Sequence, residues 1–130
     1  MTIEIKLLIG SIFLGIFHLL LATQLATKVH GIKWNLSPRD EKMPELRGLA
    51  GRVERAWKNF MQTFPFFLAA ILITEILNIH NEVNMIGACI YLAARVIYVP
   101  IYAAGIVGLR TLVWLTSMAG LVMVLLAPFF

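Results

Sequence analysis

The chain has 130 residues, of which 60% are apolar and 14% are charged, and its formal net charge is +4. Soluble domains have about 45 to 50% apolar and about 25% charged residues, so this composition excludes an ordinary water-soluble monomer. Eight of the eleven lysines and arginines lie between residues 28 and 58, so the net positive charge comes from one segment of the chain. This distribution argues against a nucleic-acid partner.

Four apolar stretches are long enough to cross a bilayer as helices. A hydrocarbon core of about 30 Å requires about 20 helical residues, and the sequence predicts spans at about residues 5–28, 45–78, 84–106 and 109–129. This predicts an all-α membrane protein, namely a four-helix antiparallel transmembrane bundle that forms a single domain over residues 1–130. The only cysteine, Cys89, excludes an intrachain disulfide, and its apolar surroundings predict a small buried side chain.

The first span is expected to be a retained helix. Its uncharged run is longer than the about 7 to 15 apolar residues of a signal peptide. A polar segment at about residues 27–45 follows it, whereas the later connections are short turns near residues 80–84 and 105–109. By the positive-inside rule, the side that carries the polar segment and Arg110 is cytoplasmic, and both termini lie outside.

The second span is predicted to begin before its apolar part. Pro44 suits an early helix position, and Glu45 suits the positive end of the helix dipole. The cytoplasmic end of this helix is therefore expected to project beyond the hydrocarbon.

Polar side chains of the second span share one face. At about 100° per residue, four of them fall within an arc of about 80°; they are Arg52, Arg55, Asn59 and Gln62. Guanidinium groups suit carboxylates, and amides offer both donors and an acceptor, so this stripe suits a small anionic ligand. The alternative is a solvated helix end on which Glu54 and Lys58 form an i, i+4 ion pair.

The third span repeats the pattern with one arginine and three tyrosines on one face, which are Tyr91, Arg95, Tyr98 and Tyr102. A cation at mid-span costs at least about 2.5 to 3.5 kcal/mol unless protein or water surrounds it, so Arg95 requires partners. Two roles stay open for Arg95: a structural tie to Gln62 or to carbonyls freed by a proline, and direct ligand contact. The tyrosines have an alternative role as interfacial belt residues.

The first span carries one histidine. His18 shares a face with Ser11, Gly15 and Ala22, and small residues at this spacing let helices approach closely. A hydrogen-bonded packing histidine is therefore favoured over a ligand-binding one. The sequence has no metal-binding pattern, no glycine-rich phosphate loop and no recognisable Ser-His-Asp set.

The segment 51–67, GRVERAWKNFMQTFPFF, resembles the helix-two signature of the MAPEG superfamily. These are the membrane-associated proteins in eicosanoid and glutathione metabolism, whose signature reads E-R-x-x-R-A-x-x-N-x-x-E followed by a proline. The resemblance continues in the third span at Arg95-Val-Ile-Tyr98 and Tyr102, and Arg110 is similar to the family's catalytic arginine. The Pro38-Arg39-Asp40 loop and the segment 98–105, YVPIYAAG, look like the compact bacterial branch.

This resemblance implies a homotrimer of four-helix subunits with glutathione as co-substrate and no metal. Glutathione would lie between subunits near the cytoplasmic side, and lipophilic small molecules would arrive through the membrane lipids. In a bacterium the protein would reside in the inner (plasma) membrane. The implied catalytic residue is Arg110, and the implied glutathione ligands are Arg52, Arg55, Lys58, Asn59, Gln62, Arg95, Tyr98 and Tyr102.

Three departures from the family pattern stand out: two positions of helix two, and the interval from Tyr102 to Arg110, which differs by about one residue from some relatives. Gln62 stands where catalytic relatives usually have a glutamate that meets the ammonium of glutathione, and Trp57 replaces a position that is often His or Gln. The first functional hypothesis is a glutathione-dependent transferase or peroxidase that detoxifies lipophilic electrophiles. The alternative is a non-catalytic glutathione- or lipid-binding membrane protein, or an accessory subunit of a membrane complex.

Overall fold

The computed structural model describes all 130 residues and contains helices but no strands. Its helices are α1 (Ile3–His30), the short α2 (Ile32–Asn35), α3 (Gly48–Ile76), α4 (Glu82–Ala104) and α5 (Val107–Leu126), which a 3₁₀ turn (Ala127–Phe129) extends. The four long helices are each long and apolar enough to cross a membrane. The predicted fold class, an all-α four-helix membrane bundle, is confirmed.

Local signals in the sequence set the ends of the long helices. The Thr2 hydroxyl accepts a hydrogen bond from the Ile5 amide at 3.3 Å, and the Asn81 side chain accepts one from the Asn84 amide at 3.0 Å. Both are N-cap contacts, which satisfy amides that have no partner inside the helix. Gly105 ends α4 with a left-handed φ of 77°, a conformation that glycine adopts without strain.

α3 begins at Gly48, well before its apolar part, so the prediction of an early start is confirmed, but Pro44 and Glu45 lie outside the helix. Gly48 has a φ of 61° and the preceding Arg47 is extended, so the chain turns sharply at this point. The helix signals of Pro44 and Glu45 are overridden because the segment before Gly48 folds against α2 instead. The Trp34 indole there donates a hydrogen bond to the Glu41 carbonyl at 3.0 Å.

Hydrogen bonds define the two ends of the bundle. At one end, Arg52 Nε donates to the Ala103 carbonyl at 2.7 Å, so the beginning of α3 and the turn between α4 and α5 lie together. At the other end, Thr2 Oγ1 donates to Glu75 Oε2 at 2.9 Å. Both chain termini and the turn between α3 and α4 lie at that second end. The four long helices therefore alternate in direction.

Two glycines let α4 and α5 pack backbone against backbone. A Cβ atom added to Gly120 would lie 2.6 Å from the Gly87 carbonyl oxygen and 2.7 Å from the Tyr91 amide nitrogen. Small residues at a helix interface allow this close approach in membrane proteins. This close approach joins α4 to α5 in the part of the bundle that lies toward the chain termini.

The packing role predicted for His18 is confirmed without its predicted hydrogen bond, and the burial predicted for Cys89 is wrong. His18 packs against Trp57 and Phe60, with ring centroids 5.9 and 6.2 Å away, but neither ring nitrogen has the predicted hydrogen bond. Cys89 is exposed on the outside of α4 rather than buried. A lipid-facing helix surface is as apolar as the bundle interior, so an apolar neighbourhood in the sequence does not distinguish the two.

Candidate functional site

A polar cavity of about 440 Å³ lies between α3, α4 and α5, near the basic end of the bundle. Its nine lining residues are Arg55, Lys58, Asn59, Gln62, Tyr98, Tyr102, Arg110, Thr111 and Trp114. This volume is within the range of about 300 to 1,000 Å³ that is usual for small-molecule sites. Seven of the nine residues predicted as a site from the sequence line this cavity, and Arg52 and Arg95 do not.

Arg52 lies at the end of α4 instead of in the cavity. Its Nε atom donates to the Ala103 carbonyl, which belongs to the last turn of α4. Carbonyls in the last turn have no partner within their own helix, so a nearby cation is attracted to them. Arg52 thus holds the beginning of α3 against the end of α4.

Arg95 lies behind the wall of the cavity and is 1% exposed. Its Nη1 atom donates to Asn59 Oδ1 at 2.9 Å, and its guanidinium lies 4.5 Å from the centroid of the Tyr98 ring. The Nε and Nη2 atoms have no hydrogen-bond partner. The sequence left two roles open for Arg95, a structural tie and direct ligand contact. The structure contains the structural tie, and its partner is Asn59 rather than Gln62 or a carbonyl freed by a proline.

Tyr102 connects two arginines at the cavity wall. Arg55 Nε donates to the Tyr102 hydroxyl at 3.3 Å, and the Arg110 guanidinium lies 4.8 Å from the centroid of the Tyr102 ring. Tyr98 is 3% exposed and meets Tyr102 edge to face at 5.5 Å. These contacts hold α3, α4 and the start of α5 next to one another around Tyr102.

Tyr91 belongs to the core below the cavity. Its hydroxyl forms a hydrogen bond with Thr63 Oγ1 at 3.1 Å, and its ring stacks on Phe67 at 4.0 Å. Because Tyr91 and Tyr98 are buried within the bundle, the alternative role of these tyrosines as interfacial belt residues is wrong for both.

The cavity lining is cationic. It contains Arg55, Lys58 and Arg110 and no carboxylate. The predicted i, i+4 pair between Glu54 and Lys58 is present, with 3.6 Å between Oε1 and Nζ, but the Lys58 side chain is 66% exposed. An ion pair that water reaches this freely is weak, so Lys58 stays available to an anion in the cavity.

Sequence reasoning missed Thr111 and Trp114. Both lie on α5 with Arg110, one and four residues further along, so Trp114 is one helical turn from Arg110 and on the same face. The one-turn spacing from Arg110 was the feature of the sequence that could have identified Trp114 as a lining residue. The Trp114 Nε1 atom is buried and has no hydrogen-bond partner within the subunit.

The helices and the cavity define a four-helix membrane protein with a cationic site near one end of the bundle. The sequence model of the MAPEG family matches residues 7–130, and the chain belongs to this family. No curated protein matched the chain significantly. The four apolar helices together with the family support an integral membrane protein, and membership supports a membrane function related to glutathione in general terms.

Proposed function

We propose that this protein is a glutathione-dependent membrane transferase or peroxidase that acts on lipophilic electrophiles. The observation that carries the proposal is the cavity between α3, α4 and α5, where three cations, two amides and two phenols converge. Glutathione carries two carboxylates, peptide amides, an ammonium and a thiol. The donors of this lining complement the carboxylates, the peptide carbonyls and a thiolate.

The ligand contacts follow from the chemistry of each side chain. Arg55 and Lys58 would hold the carboxylates of glutathione, because a guanidinium and an ammonium both form charge-assisted hydrogen bonds with them. Asn59 and Gln62 would meet peptide groups, and Tyr98 and Tyr102 would border the backbone of the tripeptide. Arg95 would act through Asn59, whose amide it orients.

Arg110 would stabilise the reactive thiolate. A free thiol with a pKa of about 8.5 is mostly protonated at neutral pH, and a nearby guanidinium favours the anion. The thiol proton passes to water, and the thiolate attacks the electrophilic carbon. A carbon–sulfur bond forms as the leaving group departs with its electron pair. In the peroxidase reaction, two glutathione molecules and a hydroperoxide give the disulfide, an alcohol and water.

The cavity lies at the surface of the subunit, since Arg55, Lys58, Gln62 and Thr111 are exposed. A second subunit packed here would complete the site, which supports the proposed homotrimer with glutathione between subunits. The basic segment supports a cytoplasmic site with both termini outside. Native mass spectrometry of the detergent-solubilised protein should detect a trimer, and a monomer alone would contradict this arrangement.

The kinetic test replaces Arg110 and measures conjugation of a chlorinated nitroaromatic with glutathione. Arg110→Ala should reduce turnover by about 100-fold, the size of effect seen when one donor to a developing anion is lost. Tyr91→Phe is the control, because Tyr91 lies in the core and does not line the cavity. Unchanged turnover in Arg110→Ala would reject the proposed role of this residue.

One observation favours the alternative, a non-catalytic glutathione- or lipid-binding protein or accessory subunit. The lining contains neither a carboxylate nor a histidine that would accept the thiol proton. Titration calorimetry with glutathione, combined with the turnover assay, distinguishes the two functions. Binding without turnover supports the alternative, and binding with turnover supports the enzyme.

A further inference from the structure

Three elements meet at the end of the bundle that carries the chain termini, and each contributes a titratable side chain. Glu4 lies in the first turn of α1, Glu75 in the last turn of α3, and His80 in the turn that leads to α4. His80 Nδ1 lies 3.9 Å from Glu4 Oε2 and 4.0 Å from Glu75 Oε2. One imidazole nitrogen therefore stands between two carboxylates that belong to different helices.

The Glu4 carboxylate depends on His80 for a charged partner. The Glu4 side chain is 3% exposed and forms no hydrogen bond, whereas Glu75 is 30% exposed and accepts from the Thr2 hydroxyl at 2.9 Å. A buried carboxylate is expensive unless it is paired or hydrogen-bonded. Because so little of the Glu4 side chain reaches the surface, a second subunit has no access to it.

The other charged groups of these elements and of the chain termini form no ion pair. They are Lys6 on α1, Glu82 on α4, the Met1 amino group and the Phe130 carboxylate. Of the three histidines in the chain, only His80 lies within ion-pair distance of a carboxylate. A pH-dependent ion pair at this end of the bundle therefore involves His80.

We propose that Glu4, Glu75 and His80 form a pH-sensitive latch, which holds the start of α1 to the end of α3 when the His80 ring is protonated. The imidazolium attracts both carboxylates, whereas the neutral ring leaves two negative groups beside the same nitrogen. A histidine that gains charged partners on folding contributes stability at low pH, and this contribution is lost as the pH rises through its titration. The latch is independent of the proposed function, since it lies at the end of the bundle opposite to the cavity. With both termini outside, it responds to the pH of the outer compartment.

The test is thermal unfolding of the full-length protein in detergent between about pH 5.5 and 8, where imidazoles usually titrate. The melting temperature of the unmodified protein should fall by about 4 °C as the pH rises, the size of shift expected from the loss of one ion pair. His80→Gln cannot be protonated and should remove this dependence. His30→Gln is the matched control and should retain it, because His30 lies 3.1 Å from the Pro44 carbonyl at the opposite end and has no carboxylate partner.

Glu4→Gln tests the latch from its other side. This change removes the buried charge and nearly preserves the shape of the side chain, so the variant should fold and should also lose the pH dependence. A melting temperature that varies with pH equally in the unmodified protein, His80→Gln and Glu4→Gln would overturn the latch. A melting temperature of the unmodified protein that does not change with pH would overturn it as well.

Hydrogen exchange measured by mass spectrometry locates the effect. After correction for the intrinsic exchange rate, amides in the first two turns of α1 should lose protection as the pH rises in the unmodified protein, and not in His80→Gln. A uniform loss of protection along the chain, or the same loss in both proteins, would contradict a local latch.

Discussion

The Arg95 guanidinium donates to Asn59 Oδ1 at 2.9 Å and thereby joins α4 to α3 behind the cavity wall. Asn59 faces the cavity, while Arg95 is buried and has no other hydrogen bond. One amide therefore provides its oxygen as the acceptor for a buried cation and also lines the cavity. The stability of the bundle and the shape of the site depend on the same contact.

Two substitutions of Asn59, by alanine and by aspartate, should change the stability of the protein in opposite directions. Asn59→Ala removes the only hydrogen bond of a buried guanidinium, which should cost about 2 to 3 kcal/mol, since buried charged groups are expensive to leave unsatisfied. Asn59→Asp supplies a carboxylate to the same cation and should raise the melting temperature. Gln62→Ala is the control, because the Gln62 side chain forms no hydrogen bond. Thermal unfolding in detergent measures all three, and a stabilised Asn59→Ala would contradict the role of this contact.

The close approach of α4 and α5 predicts that substitution by alanine has very different effects on folding at two glycines of α5. A Cβ atom at Gly120 would overlap the backbone of α4, whereas one at Gly108 would meet nothing within 4 Å. Gly120→Ala should therefore prevent normal packing and lower the yield of folded protein. Gly108→Ala should be neutral or stabilise by up to about 1 kcal/mol through helix propensity. Size-exclusion chromatography and melting temperature measure the effect, and equal behaviour of the two variants would argue against this packing.

Trp114 should report on ligand binding, since it is the only one of the three tryptophans that lines the cavity. A glutathione conjugate with a nitroaromatic group should quench its fluorescence. Trp114→Phe should remove most of the quenching, because it removes the indole ring that lines the cavity. Trp34→Phe should retain the quenching, because Trp34 lies against the polar segment outside this cavity. Quenching that depends on Trp34 instead would place the ligand elsewhere.

Helix geometry explains how far the sequence predicts this site. The polar face of the second span is recognisable because amides and cations are rare within membrane helices, so their shared angle is informative. Three of its four residues line the cavity. Arg52 differs because it lies where α4 ends, and an unpaired backbone carbonyl of that helix attracts it. A helical wheel of one segment contains no information on where a neighbouring helix stops.

Arg95 and Trp114 illustrate a second limit. The sequence predicts that a mid-span arginine needs partners, but the choice of Asn59 depends on the register between α3 and α4, which arises from tertiary packing. Trp114 was missed because tryptophan in an apolar helix is usual in membrane proteins. Its relation to Arg110 becomes significant only once the start of α5 is seen to border the cavity.

Calorimetric titration of the purified protein with glutathione, with and without Arg55→Ala, shows whether the cavity binds glutathione. Arg55 lines the cavity and binds Tyr102, so its loss removes both a carboxylate partner and a wall contact. We expect saturable binding to the unmodified protein and at least about tenfold weaker binding to Arg55→Ala. Arg47→Ala, which removes the same charge outside the cavity, should bind normally. Absence of binding, or equal affinity in Arg55→Ala, would contradict the account.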